Sequence, residues 1–259
     1  MAGSIIVGTC GFQKSRRLHL RNLDVVEVQQ TFYDPPSEDT LKKWVSEAPE
    51  GFEFTVKVWM LITHEYNKNL WRRIKREVPG DPSAYGSFKL NKWTLWALEE
   101  TLKAAKALNA RILVFQTPAS FSASEENVGN IVRFFKEVDL SNYILVWEPR
   151  GTWWEKTGLL DKVRLEAGLI VSGDILRGKP VPRGQDILYT RLHGLGGKGE
   201  VNYKYKYTDE DLAELKTLVE DYIKSGSKTA YVLFNNVYAY DDAIRFKELI
   251  KGRVLRKET

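Results

Sequence analysis

The chain has 259 residues, 43% hydrophobic and 28% charged, so it can bury a substantial core and is neither a disordered nor a collagen-like chain. No run approaches the roughly 18 consecutive apolar residues of a membrane-spanning helix, and the N-terminus does not have the pattern of a secretory leader. One cysteine, Cys10, cannot form an internal disulfide, which predicts a cytoplasmic protein, and an excess of 39 basic over 34 acidic residues allows an anionic partner without requiring one.

Short apolar, β-branched runs recur along the whole chain and predict eight strands. They lie at 4–8, 24–30, 52–58, 111–117, 143–149, 169–174, 187–194 and 230–236. Their nearly continuous apolar character is typical of parallel strands that are covered by helices. Helical patterns occur between them at 37–48, 92–108, 125–138, 209–223 and 241–250.

Two of these helices carry a predicted N-terminal capping box: Ser122 with Glu125, and Thr208 with Asp211. Strands that alternate with helices over this length predict a single (β/α)8 TIM-like barrel domain that spans residues 1–259.

Two connections depart from a regular barrel. The link between strands 6 and 7, from Asp174 to Ile187, contains prolines and glycines and is predicted to be a loop rather than a helix. Residues 59–90 form a long polar and aromatic excursion after strand 3, and such a loop in a compact domain is commonly a functional lid.

Polar side chains collect at the carboxyl ends of the predicted strands, where barrel enzymes build their sites. Side chains alternate along a strand, so Glu148 and Arg150 share a face, as do Arg191 and His193. If these faces point inward, they form a ligand site, although ion pairs that plug the barrel end are the alternative. The residues are Glu27, Gln29, Lys57, Gln116, Glu148, Arg150, Asp174, Arg191, His193, Asn235 and Asn236.

Several stretches in the same order resemble the DUF72 (YecE-like) family: GTCGF, VEVQQTFYDPP, FTVKVW with ITHE, FQTPASF, VWEPRGTWW, SGD, YTRLHG and YVLFNN. The resemblance implies a TIM-barrel-like fold and no settled activity. It marks Glu27, Lys57, His64, Gln116, Glu148, Arg150, Asp174, Arg191, His193 and Asn235 as motif positions. Cys10 and Phe12 stand where the family pattern has serine and tryptophan, so a hydroxyl role at position 10 is in doubt.

Two enzymatic hypotheses follow. In a metal-dependent hydrolase or isomerase, Glu148, Asp174 and His193, with Glu27 as a fourth group, would hold zinc, manganese or magnesium. Fold-level analogy alone links this idea to barrels of the xylose isomerase kind.

In metal-free acid/base catalysis, Lys57, Arg150 and Arg191 would hold a small anionic or sugar-like substrate. Glu27 and Glu148 would then exchange protons with that substrate. In either scheme Asp174 and His193 belong to the catalytic set, and substrate would be oriented by Gln116, Asn235 and Asn236. His64 is either a proton shuttle on the lid or an ordinary loop histidine.

A non-catalytic module that binds nucleic acid or protein is the third hypothesis. Its support consists of basic clusters at Lys14, Arg16, Arg17 and Arg21, at Arg72, Arg73, Lys75 and Arg76, and in the C-terminal tail. The glycine-rich loop at 194–199 either binds phosphate through its amides and Lys198 or serves as a lid.

Overall fold

The computed structural model describes residues 3–197, 199 and 201–251. Its eight strands pair side by side in the order β6-β5-β4-β3-β2-β1-β8-β7, and the pairings along this order are parallel. The alternation of strands with helices confirms the predicted (β/α)8 class, and each predicted strand is present, with bounds that differ by a few residues. The strands are β1 Ser4–Cys10, β2 Val25–Val28, β3 Glu53–Lys57, β4 Ile112–Gln116, β5 Ile144–Glu148, β6 Ile170–Val171, β7 Ile187–Leu192 and β8 Thr229–Phe234.

The helices include all five that the hydrophobic periodicity predicts. They are α1 Arg16–Asn22, α2 Gln30–Tyr33, α3 Glu38–Glu47, α4 Met60–Thr63, α5 Lys68–Trp71, α6 Lys92–Ala107, α7 Glu125–Glu137, α8 Thr157–Ala167, α9 Asp209–Lys224 and α10 Ala239–Lys251. The 59–90 excursion contains α4, α5 and a 3-10 turn at Pro82–Ala84, and the link after β6 opens with another 3-10 turn at Ile175–Arg177. The sequence patterns did not predict the other five, which are α1, α2, α4, α5 and α8.

One of the two predicted capping boxes is present. Thr208 accepts the backbone N–H of Asp211, and the Asp211 carboxylate accepts the backbone N–H of Thr208. The box at Ser122 and Glu125 was wrong by two residues. Ser124 has the extended backbone of an N-cap, and its hydroxyl accepts the N–H of Asn127, which leaves Glu125 as the first residue of α7.

The described residues divide into two compact units. The first comprises the described parts of Met1–Glu27, Glu47–Glu53 and Ser172–Thr259, and the second comprises Val28–Ser46 and Phe54–Val171. The single domain over 1–259 stays a prediction.

The first unit contains β1, β7, β8 and most of β2, and the sheet that these strands form is strongly curved. In a flat sheet, β2 and β7 would be three strand spacings apart, about 14 Å, which is too far for two side chains that point the same way. The carboxylate of Glu27 on β2 nevertheless lies 2.8 Å from the guanidinium of Arg191 on β7. The inner faces of these strands therefore converge at their carboxyl ends.

The second unit contains β4, β5, β6 and most of β3 over an aromatic core. Phe88 packs against Phe115, Phe121 and Phe134, with ring centroids 5.5–6.2 Å apart. Such contacts and the burial of the rings fix the loop after β3 against the sheet. No helix among the described residues is long and apolar enough to cross a membrane.

Candidate functional site

A buried ion pair joins β2 to β7 in the first unit. Glu27 is 0% and Arg191 1% exposed, and their Oε1 and Nη2 atoms are 2.8 Å apart. The hydroxyl of Tyr189 donates to the other carboxylate oxygen of Glu27 at 2.9 Å. Both oxygens therefore accept a strong hydrogen bond, which is what a carboxylate in a dry interior requires. Glu27 and Arg191 therefore lie together, an arrangement that both the predicted ligand site and its alternative, a structural ion pair, allow.

Asp174 and His193 form a second buried pair in this unit. Asp174 precedes the 3-10 turn at Ile175–Arg177, and its Oδ2 accepts the backbone N–H of His193 at 2.8 Å. The Nδ1 atom of the imidazole lies 3.8 Å from the same oxygen. The other oxygen, Oδ1, is buried and accepts no hydrogen bond from any described residue.

Two asparagines follow β8. The backbone N–H of Asn235 donates to Leu192 at 2.8 Å, and its side chain is partly exposed. The amide nitrogen of Asn236 donates to the Tyr205 carbonyl at 2.7 Å and to the Asp242 carboxylate at 2.8 Å. Burial raises the pKa of that Asp242 carboxyl, and the Asn236 amide opposes the shift. The Asn236 nitrogen is thus committed to protein contacts, which leaves only the amide oxygen of this predicted ligand-orienting residue for another molecule.

The glycine loop after β7 is held by a cation. The guanidinium of Arg177 donates to the carbonyl groups of Gly194, Gly196 and Gly199. These contacts use backbone carbonyl oxygens rather than the amides that the phosphate hypothesis needs. Lys198, which that hypothesis also invoked, lies outside the described residues.

In the second unit, Lys57 at the end of β3 and Gln116 at the end of β4 are in contact. The Lys57 ammonium is 2.8 Å from Oε1 of Gln116 and 3.8 Å from the ring centroid of Phe32. The amide nitrogen of Gln116 donates to the Thr117 carbonyl at 2.9 Å, which orients the amide oxygen toward the lysine. Lys57 is 6% exposed, and its ammonium beside an amide and an aromatic face is a well-positioned cation.

His64 directly follows the short helix α4 as its C-cap. Its ring packs on the same Phe32 ring, edge to face, with centroids 5.0 Å apart. Its Nδ1 atom lies 2.8 Å from the hydroxyl oxygen of Thr63. Burial, together with the positive charges of Lys57 and Arg150, lowers the pKa of the imidazole from 6.5 to about 3. His64 is therefore neutral at physiological pH and can donate or accept a hydrogen bond beside two cations.

Glu148 and Arg150 extend this cluster at the end of β5. Their Oε1 and Nη2 atoms are 2.5 Å apart, and their side chains are 3% and 14% exposed. Because β5 pairs with β4, Glu148 lies opposite Gln116 in the strand register. The nearby tryptophan Trp153 is fully buried and donates to the Phe121 carbonyl at 2.6 Å, so it serves packing.

The metal hypothesis needs three protein ligands around one ion. Within residues 3–197, 199 and 201–251, no three His, Cys, Asp or Glu side chains are grouped in this way. Asp174 and His193 belong to the first unit and Glu148 to the second. The described side chains do not fit a three-ligand site, and a divalent metal held in another way stays a prediction.

Two tyrosines of the strand ends were missed by the sequence reasoning. Tyr189 lies two residues before Arg191, on the same face of β7, so the alternation that paired Arg191 with His193 also contained it. Tyr207 precedes α9 in the stretch YKYKYT, which alternates like a strand but forms neither strand nor helix in the structure. Its hydroxyl accepts the backbone N–H of Gly194 at 2.7 Å.

The fold and the strand-end clusters define a class of protein: a (β/α)8 protein with buried, charged side chains at the carboxyl ends of its parallel strands. The chain belongs to one family of this class, described as "Protein of unknown function DUF72", whose pattern matches residues 11–258. The resemblance carried by the sequence motifs is thereby confirmed.

Known proteins with similar sequences or structures agree with this assignment. The UPF0759 protein YunF of Bacillus subtilis (strain 168) is 25% identical over 92% of this chain and 86% of its own length. A DUF72 family protein from Enterococcus faecalis V583 has a similar structure, with a TM-score of 0.71 and 20% identity over 96% of this chain and 98% of its own. A xylose isomerase domain containing protein from Salmonella typhimurium LT2 shares the fold, with a TM-score of 0.55 and 14% identity over 93% of this chain and 90% of its own.

Proposed function

We propose that this protein is an enzyme that acts on a small anionic molecule by carboxylate acid/base chemistry. The observation that carries the proposal is the cluster at the ends of β3, β4 and β5. There the positive charges of Lys57 and Arg150 both lower the pKa of the His64 imidazole, which is therefore neutral.

Each member of the cluster has a role that its chemistry suits. Lys57 and Arg150 would hold the phosphate or carboxylate group of the substrate, Arg150 through its planar pair of donors. Gln116, which already positions the lysine, would fix the angle of approach. His64 would offer one neutral hydrogen bond at pH 7, since the two cations disfavour its protonated form.

Glu148 is the group that would move the proton. It is 2% exposed and touches Arg150, so binding of an anion to the guanidinium changes the charge that the carboxylate senses. Proton exchange with a substrate requires Glu148 to come within hydrogen-bond reach of the reacting atom once the substrate is bound.

The first experiment measures the affinity of the protein for inorganic phosphate and a panel of sugar phosphates and sugar acids by calorimetry. A charge-assisted hydrogen bond contributes about 1.5–3 kcal/mol, so Lys57→Met should weaken anion binding by roughly 10- to 100-fold. Lys43→Met, which removes an exposed lysine of α3, is the matched control and should bind as the wild type does. Equal affinities of the two variants would refute the proposal.

Turnover is tested with Glu148→Gln. This variant should stay folded, with a lower thermal unfolding midpoint because Arg150 loses the carboxylate charge beside it. It should retain anion binding while losing activity on whichever anion the panel identifies. Loss of the folded state would instead assign Glu148 to a structural ion pair with Arg150.

The basic clusters give weaker support to the alternative, a nucleic-acid-binding module. Arg76 contacts Asp34 and Glu100, and Arg73 lies over the ring of Tyr33, so half of that cluster is engaged internally. The C-terminal basic tail lies outside the described residues. Steep weakening of oligonucleotide binding as salt increases would favour the alternative over the small-anion proposal.

A further inference from the structure

In the first unit, the turn after β7 has a corner, at His193 and Gly194, where a carboxylate and a phenol contact two consecutive backbone N–H groups. Asp174 Oδ2 accepts the N–H of His193 at 2.8 Å, and the Tyr207 hydroxyl accepts the N–H of Gly194 at 2.7 Å. Consecutive amide nitrogens lie within about 4 Å of each other, so the two side chains face the same turn after β7.

Both side chains keep unused hydrogen-bonding capacity. Oδ1 of Asp174 accepts nothing from the described residues, and the hydroxyl proton of Tyr207 has no acceptor among them. Asp174 is 4% and Tyr207 1% exposed, so neither capacity is met by bulk water. Burial and the neighbouring Asp174 charge raise the pKa of the phenol, which therefore stays protonated and remains a donor. An unsatisfied buried polar group costs about 1–3 kcal/mol, so a partner for this corner is strongly favoured.

The turn that carries this corner is rigid. Gly194 has a φ of +80°, and a Cβ there would lie 2.1 Å from the carbonyl oxygen of Asn202, so only glycine fits. Its carbonyl accepts a hydrogen bond from the Arg177 guanidinium while its N–H binds Tyr207. Gly194 is thus held through both of its backbone polar groups, and the donor and the acceptor are therefore preorganised.

We propose that Asp174 and Tyr207 form a subsite for one hydroxyl group of a polyol or sugar-like ligand. The Tyr207 O–H donates to the ligand oxygen, and the ligand hydroxyl donates its own proton to Asp174 Oδ1. A hydroxyl is both donor and acceptor, as this pair demands. A phosphate or carboxylate would be repelled by Asp174, and an ammonium group has no lone pair for Tyr207.

The subsite is independent of the proposed anion chemistry, because all of its residues belong to the first unit and none of them holds the anion. A neutral polyol tests it without reference to any activity. Failure of phosphate to bind would leave the subsite standing, and failure of polyols to bind would leave the anion cluster standing.

The test measures binding of xylose, myo-inositol and glycerol to the full chain by saturation-transfer NMR and calorimetry. Asp174→Asn keeps an oxygen for the His193 N–H but presents a donor in place of Oδ1, and Tyr207→Phe removes the phenol proton. Each should weaken binding of the best polyol about tenfold or more. Tyr205→Phe is the control: it removes a hydroxyl that donates to Asp211 rather than to the subsite, and it should leave polyol binding unchanged.

Crystals of the wild-type protein soaked in the same polyol give a second measurement that needs no variant. A ligand hydroxyl within hydrogen-bond distance of both Tyr207 Oη and Asp174 Oδ1 is the expected result. Water alone at this position in the soaked crystal, or polyol affinities equal in wild type and both variants, would overturn the subsite.

Discussion

Removing the charge of Glu27 tests whether the pair with Arg191 governs the stability of the first unit. In Glu27→Gln the side chain keeps its length and one acceptor oxygen, so either Tyr189 or Arg191 loses its partner. Arg191 is 1% exposed and cannot turn to solvent without opening the strand ends. The variant therefore removes the carboxylate charge that lies 2.8 Å from a buried guanidinium.

The expected loss of unfolding free energy follows from this burial. Breaking a buried ion pair from one side costs about 3–5 kcal/mol, because the remaining charge is desolvated and uncompensated. The retained oxygen places Glu27→Gln near the lower value, about 3 kcal/mol. Whole domains are stable by only about 5–15 kcal/mol, so the effect is readily measured.

Urea unfolding followed by circular dichroism provides the measurement, with an exposed pair as control. Lys228 and Asp186 are also in contact, at 3.1 Å, but their side chains are 76% and 71% exposed. Asp186→Asn should therefore cost no more than about 1 kcal/mol. The double variant Glu27→Gln with Arg191→Met should recover much of the lost stability. A cost below about 1 kcal/mol for Glu27→Gln would refute the reasoning.

The remaining predictions concern His64, α9 and metal content. Because its folded pKa is lowered to about 3, His64 contributes stability that is present above pH 6.5 and lost as the pH falls toward 3. The urea midpoint should therefore fall more between pH 7 and pH 4.5 in wild type than in His64→Gln. Equal falls in the two proteins would contradict the lowered pKa of His64. Thr208→Ala removes the cap of α9 and should cost about 1 kcal/mol in urea unfolding, whereas no loss would mean that packing alone holds the helix end. The metal hypothesis predicts near-stoichiometric zinc, manganese or iron in protein purified without a tag, measured by plasma mass spectrometry and lost in Asp174→Asn. Folded protein without bound metal would contradict that hypothesis.

Much of the fold was predictable because its signals are local. Each strand is a short apolar run, and the Thr208–Asp211 spacing marks the start of α9 directly. The misplaced cap of α7 shows the limit of spacing alone: Ser122 and Ser124 are both good caps, and the backbone geometry selects the second.

Five helices were not predicted, and the two longest of them, α1 and α8, lack such signals. Helix α8 has no side-chain cap at Lys156 and is stabilised by packing of Leu160 and Val163 in the interior, which sequence alone does not display. Helix α1 has seven residues, three of them arginines, and was interpreted as part of a basic surface cluster.

The charged residues of the site could be predicted from the sequence, but their hydrogen-bond partners could not. Strand ends and alternation identified Glu27, Arg191 and Asp174, because charged side chains are conspicuous in apolar runs. The occupied carboxylate oxygen is set by the Tyr189 hydroxyl at Glu27 and by the His193 backbone N–H at Asp174, and no pattern in the sequence marks either contact. Long-range geometry of this kind has no local signature.

The Glu27–Arg191 contact also disfavours incorrect strand registers during folding. A shift of β7 by one residue would turn the guanidinium to the opposite face of its strand, because side chains alternate along a strand. Glu27 would then be buried without its counter-ion, and every apolar neighbour on β7 would face the wrong way. A misregistered sheet thus loses ion pairing and core packing together, so the contact penalises wrong strand alignments as well as supporting the correct one.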